Sequence, residues 1–398
     1  MDLKIGLFNE SFPPTVDGVA NAVYNYAKNI DANHGRVTVV TPKYPNVIDD
    51  YPFEVYRYGS FDVSKKLGYR VGNVLSLKTY NDLINEKFDL IHIHSPFASS
   101  VIADLVSKFR HKVPIVFTYH TKYDIDIKKR IPTKAFQKIA MKFLLRNINL
   151  ADEVWVVTEG AAESLRNIGY TGKYRVMENG TDFPLGRADD KIVDKIRAQY
   201  GLDKNQLTFL FVGRMMWYKN VGLILDALKL VADDIDFKMV FVGDGVDRPA
   251  IEQYAKRIGL GDKTVFAGTV YDREVMRGFF SSADLFMFPS TYDTAGLVVK
   301  EAAACELPSI LVEKSCAAEG VQHDFSGFLC SETAEDMADK IKCAVKDKEH
   351  LREVGKNAQK YVYLSWEDAV KRAYNRYEEI AFSWPKDLPY RRNEKEKK

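Results

Sequence analysis

The stretch Phe209-Leu210-Phe211-Val212-Gly213-Arg214, followed five residues later by Lys219, decides the fold. A short apolar run stops at a glycine, and two cations follow. An amphipathic pattern over Val221–Ala232 comes next, then a second apolar run over Lys238–Val242. Strand, helix-length crossover and strand make a parallel pair, and near-continuous apolar strands are those covered on both faces. Ligands of open sheets of this kind bind beyond the carboxyl ends of the strands, which is where Arg214 and Lys219 fall. An arginine fork beside a mobile lysine charge suits a diphosphate, although the same residues also read as a solvated basic loop.

The alternation extends in both directions. Lys4–Phe8, Val37–Thr41, Leu90–His94, Pro114–Tyr119, Glu153–Thr158 and Tyr174–Met177 read as strands of a first half. Thr264–Phe266, Leu285–Phe288 and Ser309–Val312 join the second. The pattern pauses at Asn179-Gly180-Thr181 and resumes at Leu207, with Pro184, Gly186 and Asp189-Asp190 between. The fold class expected is α/β, with two facing doubly wound, Rossmann-like domains that share one cleft. The expected boundaries are 1–182 for the first domain, 183–204 for a linker with one short helix, and 205–365 for the second domain. Residues 366–398 read as a C-terminal helix crossing back to the first domain, then a basic tail.

Composition narrows the function. The chain has 398 residues, enough for about two or three domains. With 46% hydrophobic and 28% charged residues it is neither disordered nor a membrane bundle, and no run approaches the roughly 18 apolar residues of a spanning helix. The start, Met1-Asp2-Leu3-Lys4, enters a strand directly, so no secretory leader is expected and a cytoplasmic location is. A net charge of +2 leaves no global field for nucleic acid. Cys305, Cys316, Cys330 and Cys343 form no Cys-x-x-Cys pair and read as buried free thiols.

Two further loops suit phosphate. Pro13-Pro14-Thr15-Val16-Asp17-Gly18 joins the first strand to a helix, where Gly18 allows close backbone approach to an anion or serves an ordinary tight turn. Pro289-Ser290-Thr291-Tyr292-Asp293-Thr294-Ala295-Gly296-Leu297 ends the strand Leu285–Phe288, and a helix starts near Gly296. The N–H groups of Ala295, Gly296 and Leu297 suit a phosphate oxygen. Asp293 and Glu301, the latter facing out from the second helical turn, suit sugar hydroxyls. Alternatively Asp293 is an N-cap and Glu301 complements the helix dipole. The glycine fingerprint of a dinucleotide fold is missing, which disfavours a dehydrogenase.

Together these segments resemble the retaining GT-B glycosyltransferases of family 4, over nearly the whole chain. The family's Pro-Pro…Gly-Gly loop is matched by Pro13-Pro14…Asp17-Gly18, its Gly-Arg…Lys motif by Gly213-Arg214…Lys219, and its Glu-x7-Glu motif by Asp293…Glu301. Two positions depart: Asp17 replaces a glycine and Asp293 a glutamate. The resemblance implies that Arg214 and Lys219 neutralise a donor diphosphate next to Gly213, and that Glu301 binds the nucleotide ribose. It implies that Asp293 and the amides of Ala295, Gly296 and Leu297 hold the donor sugar and β-phosphate, with Gly18 approaching the same phosphate. His120, in Thr118-Tyr119-His120-Thr121, matches the family's catalytic-site histidine. The nucleotide-diphosphate sugar, a UDP-hexose, is a co-substrate; no other cofactor and no metal is expected. Asp124-Ile125-Asp126 and Asp234-Ile235-Asp236 match Asp-x-Asp, but neither follows a strand as a metal-binding copy does.

The segments Leu90–Phe97 and Thr118–Tyr123 look like those of bacterial diacylglycerol glycosyltransferases in this family, which implies that His94, Ser95, Pro96 and Phe97 line the acceptor side. Between 122 and 146 lie eight basic residues against two acidic ones, Lys128, Lys129, Arg130, Lys134, Lys138, Lys142 and Arg146 among them. Phe136, Ala140, Phe143 and Leu144 recur on a neighbouring helical face. Such a helix reads as an element bound to an anionic membrane surface, or as one whose apolar face packs on its own domain. The expected activity is hexosyl transfer to a membrane glycerolipid such as diacylglycerol, by a peripheral enzyme at the inner face of the membrane. Rival readings are a family 4 transferase with a soluble or polyprenyl-linked sugar acceptor, a nucleotide-sugar epimerase, and a two-domain ligand-binding protein without turnover.

Overall fold

The computed structural model describes residues 2–15, 17–62, 70–109 and 112–385. The expected basic tail lies outside them. The chain divides into two compact units, Met1–Asn179 with Trp366–Lys398, and Gly180–Ser365.

In the first unit the strands are β1 (Lys4–Phe8), β2 (Arg36–Pro42), β3 (Glu54–Tyr58), β4 (Ser60–Asp62), β5 (Arg70–Gly72), β6 (Leu90–Ile93), β7 (Ile115–Tyr119), β8 (Glu153–Val156) and β9 (Arg175–Val176). All but β4 and β5 form one parallel sheet in the order β3-β2-β1-β6-β7-β8-β9, and β4 and β5 pair separately, antiparallel. The helices are α1 (Gly18–Asn33), α2 (Leu77–Asn85), α3 (Ala98–Phe109), α4 (Tyr123–Arg130), α5 (Lys134–Ile148), α6 (Glu159–Asn167) and, from the end of the chain, α14 (Trp366–Ser383). The order reverses between β1 and β6, and a doubly wound sheet opens its ligand crevice at the carboxyl ends of such a pair.

α14 completes this unit. Trp366, Tyr374 and Tyr377 are buried. Tyr374 accepts a hydrogen bond from Leu3 N at 3.1 Å, Tyr377 stacks on Trp155 at 5.3 Å, and Arg376 pairs with Glu153 at 2.5 Å.

The second unit carries β10 (Leu207–Val212), β11 (Phe237–Val242), β12 (Thr264–Gly268), β13 (Leu285–Phe288), β14 (Ser309–Val312) and β15 (Phe328–Cys330). They form a parallel sheet in the order β12-β11-β10-β13-β14-β15, which reverses between β10 and β13. Its helices are α7 (Asp190–Tyr200), α8 (Val221–Val231), α9 (Arg248–Arg257), α10 (Arg273–Ser282), α11 (Leu297–Ala304), α12 (Ala334–Lys346) and α13 (Lys348–Tyr361).

Residues 183–204, read above as a linker, belong to this second unit. Phe183 and Ile196 lie in its apolar core, and α7 packs along α10. Pro184, Gly186 and Asp189-Asp190 gave the segment its linker-like look, but buried Phe183, Ile196 and Leu202 decide where it goes. Cys305, Cys316 and Cys330 are buried free thiols, whereas Cys343 is exposed. Among the described residues no helix is long and apolar enough to cross a membrane.

Candidate functional site

In the second unit, the carboxyl end of β10 runs into a loop pinned to its neighbour. Gly213 N donates to Val242 O at 3.0 Å and Met215 N to Asp244 O at 3.0 Å. Gly243, at φ +128°, allows the approach: a Cβ there would stand 2.1 Å from Gly213 O. Arg214, held between these two anchors, is exposed and makes no ion pair among the described residues. Lys219 ends a single 3-10 turn, Trp217–Lys219, and is buried. Its Nζ lies 2.5 Å from Asp293 Oδ1 and 5.9 Å from the centre of the Phe288 ring.

Asp293 is therefore not the N-cap of the following helix. The cap of α11 is Gly296, in the left-handed region at φ +52°, and no side chain caps the helix start. A Cβ at Gly296 would stand 2.7 Å from Ala317 Cα, so the loop Asp293–Gly296 lies against the 3-10 turn Cys316–Ala318. Asp293 Oδ2 is buried with no hydrogen-bond partner, as are Ser290 Oγ after β13 and Ser315 Oγ after β14. Three orphaned oxygens at the carboxyl ends of adjacent strands form a set that a polar ligand would satisfy. Ser290 and Ser315 carried no sequence signal, because a lone serine after a strand is ordinary.

Glu301 does not face out to solvent as expected. It is largely shielded, its side chain 12% exposed, and accepts a hydrogen bond from Arg273 Nη2 at 2.9 Å. Arg273 also pairs with Asp182, and its guanidinium sits over the Phe183 ring at 4.2 Å. Burial pushes the Glu301 carboxyl up, and the Arg273 charge pulls it back toward the ionised form. Arg273 was missed by the sequence reading because its partner lies 28 residues away.

In the first unit, the candidate residues gather at the carboxyl ends of β1, β6 and β7. His94 Nδ1 lies 2.9 Å from His120 Nε2, with the rings stacked at 5.2 Å. His92 lies behind them, bonded through Nδ1 to Tyr377 Oη at 2.6 Å and through Nε2 to Thr118 Oγ1 at 2.7 Å. Burial holds all three imidazoles well below the usual range, His120 down to about 3, so all are neutral near pH 7. His94 Nε2 is buried with no partner. A bare acceptor is tolerated there better than an orphaned N–H, which places the shared hydrogen on His94 Nδ1 and leaves His120 Nδ1 protonated, as a donor.

The neighbouring segment is pinned from two sides. Glu10, just after β1, is buried and accepts from Ser99 N at 2.6 Å and Ser99 Oγ at 2.9 Å, while its own N–H donates to Ser95 Oγ at 3.0 Å. Asn147 of α5 donates to Pro96 O at 2.8 Å, and Phe97 meets Tyr123 edge to face at 5.8 Å. Burial raises the Glu10 carboxyl, offset in part by Ser99. Neither Glu10 nor Asn147 was singled out from sequence, since both act through partners on other elements.

At α1, Asp17 caps the helix by accepting from Val19 N at 2.9 Å and Ala20 N at 2.7 Å. Nothing lies within 4 Å of where a Gly18 Cβ would stand, so the protein itself does not demand a glycine here. Asp124 is buried against Ser164, which donates to it, and Ser164 lies 3.0 Å from Tyr119 Oη.

Helix α5 buries Leu144, Asn147 and Ile148 but leaves Phe136 (64%), Ile139 (61%) and Phe143 (44%) exposed. The expected apolar face is thus split: Leu144 packs inward, whereas Phe136 and Phe143 do not. Lys134, Lys138, Lys142 and Arg146 flank these rings, exposed and without ion pairs among the described residues, and Lys128 of α4 is also exposed. The side chains of Lys129 and Arg130 lie outside those described.

Each half matches a family model, residues 16–183 that of Glycosyltransferase Family 4 and residues 192–361 that of Glycosyl transferases group 1. The chain belongs to the family 4 glycosyltransferases. It is 24% identical to the alpha-monoglucosyldiacylglycerol synthase of Acholeplasma laidlawii, over 78% of this chain and 80% of that one. It is 23% identical to the N-acetyl-alpha-D-glucosaminyl L-malate synthase of Bacillus anthracis, over 97% of this chain and 98% of that one. Among solved structures, HepE of Anabaena in complex with UDP superposes with a TM-score of 0.77 at 19% identity, over 95% of this chain and 100% of that one. The fold is GT-B, with two Rossmann-like halves.

Proposed function

We propose that this glycosyltransferase moves a hexose from UDP-hexose to the free hydroxyl of a membrane glycerolipid such as diacylglycerol, with retention of anomeric configuration, while bound peripherally to the inner face of the membrane. The observation that carries the lipid acceptor is the exposed pairing of Phe136, Ile139 and Phe143 with four unpaired cations on α5. Apolar side chains of this kind enter the headgroup boundary, and each cation near an anionic leaflet adds about 1 kcal/mol. The same helix holds Pro96, and with it the segment His94–Phe97 on the acceptor side. The name of the Acholeplasma relative supports a lipid acceptor, and the UDP of the Anabaena neighbour supports the donor.

The chemistry follows from charge. Departure of the nucleoside diphosphate builds negative charge on the β-phosphate and oxocarbenium character on the sugar. Arg214, Lys219 and the N–H groups of Ala295, Gly296 and Leu297 stabilise the phosphate charge. The donor competes with Asp293 for Lys219, so Asp293 is freed toward the sugar hydroxyls as the diphosphate arrives. Glu301, paired with Arg273, accepts from the ribose. The departing phosphate takes the acceptor proton on the same face of the sugar. Neutral His120 donates from Nδ1 and polarises the reacting oxygens rather than acting as a strong base. The cations at the phosphates make a metal unnecessary.

A screen of UDP- and GDP-hexoses against diacylglycerol vesicles and soluble acceptors, with and without chelator, tests this reading. Turnover confined to vesicles, with retained configuration and no effect of chelator, is the expected result. Equal turnover of a soluble acceptor without vesicles would remove the lipid. The nearly full-length match to the malate-glycosylating relative favours that second reading, a small carboxylate-bearing acceptor.

A further inference from the structure

The second unit has a cavity of about 400 Å³ at the end of its sheet opposite Gly213 and Asp293. Its floor is made by the amino ends of three strands: Leu207 opens β10, Asp284 precedes β13 and Pro308 precedes β14. Six cations line it, against two carboxylates, Asp284 and Glu306. One of those acids is already engaged, since Asp284 Oδ2 accepts from Thr208 N at 2.8 Å.

Three of the cations, Lys348, Arg352 and Lys356, lie on one face of α13 at intervals of four and make no ion pair among the described residues. Like charges at that spacing destabilise a helix. The helix is nevertheless brought in tightly. A Cβ at Gly355 would stand 2.2 Å from Glu306 O, and Gln359 donates to Ala304 O at 2.8 Å. From the facing side comes Arg197, half-buried, which donates through Nη2 to Ser282 O at 3.1 Å while its Nε is buried with no acceptor. Lys204 pairs with Asp194 at 2.8 Å, but Lys348, Arg352, Lys356 and Arg197 converge with no ion pair among the described residues, around an orphaned guanidinium N–H.

We infer that this cavity is a binding site, separate from the donor loops, for a ligand carrying a phosphate group with at least two negative charges. Guanidinium forks match phosphate oxygens two at a time, and the lysines complete the charge. The volume is that of a site for a small organic molecule and exceeds what a lone phosphate fills. The site stands independently of the acceptor and donor proposed above.

Calorimetric titration of the full chain with inorganic pyrophosphate tests this, alongside flotation with phosphatidic acid vesicles, whose phosphomonoester can carry two charges. Arg352→Ser/Lys356→Ser weakens pyrophosphate binding about tenfold or more, as expected for loss of charge-assisted hydrogen bonds, whereas Arg214→Ser leaves that binding event in place. A loss seen only with vesicles supports the same phosphate chemistry with a lipid headgroup as its source. Thermal unfolding identical to the parent shows that the variant folds, and if it does not, Lys348→Ser alone carries the comparison. Unchanged binding of both probes by a folded variant overturns the site.

Discussion

The two halves of this molecule build their candidate residues on opposite electrostatic terms. In the first, His92, His94 and His120 are buried, neutral and joined to each other or to hydroxyls by hydrogen bonds. In the second, Lys219 with Asp293 and Arg273 with Glu301 are ion pairs, two of whose members keep substantial access to solvent. A neutral buried network has one arrangement and little response to salt. A partly open ion pair can exchange its carboxylate for a stronger anion. The first half is thus suited to holding a geometry, and the second to accepting a charged ligand.

The largest effect expected is at Lys219. Lys219→Ala removes a cation and strands the Asp293 carboxylate where the proposed donor diphosphate would approach, so hexosyl transfer falls about 100- to 1000-fold in steady-state kinetics. A fall of less than tenfold would make the pair merely structural. His120→Ala costs about 100-fold in kcat, with the donor KM little changed, as expected for a group that acts on the reacting oxygens.

The histidines also set a pH dependence. A group whose folded pKa lies below its unfolded value adds stability that is full above the unfolded value and is lost as pH falls toward the folded one. For His120 that window runs from 6.5 down to about 3. Its share between pH 6.5 and 5 is about 2 kcal/mol. Glu10 and Glu301, held above the ordinary carboxylate value, act with the opposite sign. The contrast is therefore measured as a difference: denaturant unfolding of His120→Gln falls off less steeply with acid than that of the parent. Equal slopes would contradict a neutral His120.

A smaller effect separates α5 from both sites. Lys138→Ser/Lys142→Ser weakens flotation with anionic vesicles about 10- to 30-fold and leaves the folded state intact, because both side chains are exposed. Flotation equal to the parent's would return α5 to the ordinary surface. The smallest effect is at α1, where Asp17→Ala loses a cap that serves two N–H groups and lowers stability by about 1 kcal/mol in chemical denaturation.

Much of the fold was legible along the chain. Lys4–Phe8, Leu207–Val212 and Leu285–Phe288 are apolar runs that occupy sheet interiors, and such strands announce themselves by composition. Two of the four edge strands, β3 and β15, were not legible. β3 is half-exposed and β15 has three residues, so neither shows a long apolar run. Gly213-Arg214, Lys219 and Asp293 were found from spacing after strands, and the structure brings Lys219 and Asp293 into contact. Glu10, Arg273, Ser290 and Ser315 were not found, because an isolated polar residue carries no pattern until its neighbours are placed.

The sequence alone determined what depends on near neighbours: alternating strands and helices, the loops that follow them, and the basic repeat of α5. Tertiary structure alone decided the partnerships. Lys219 meets Asp293 across 74 residues, His94 meets His120 across 26, and His92 meets Tyr377 across 285. It also decided that residues 183–204 join the second unit and that α14 completes the first. The reason is the parallel sheet, whose adjacent strands are separated by whole crossovers. The groups that gather at its carboxyl edge therefore come from distant stretches, and periodicity within any one stretch says nothing about which will meet.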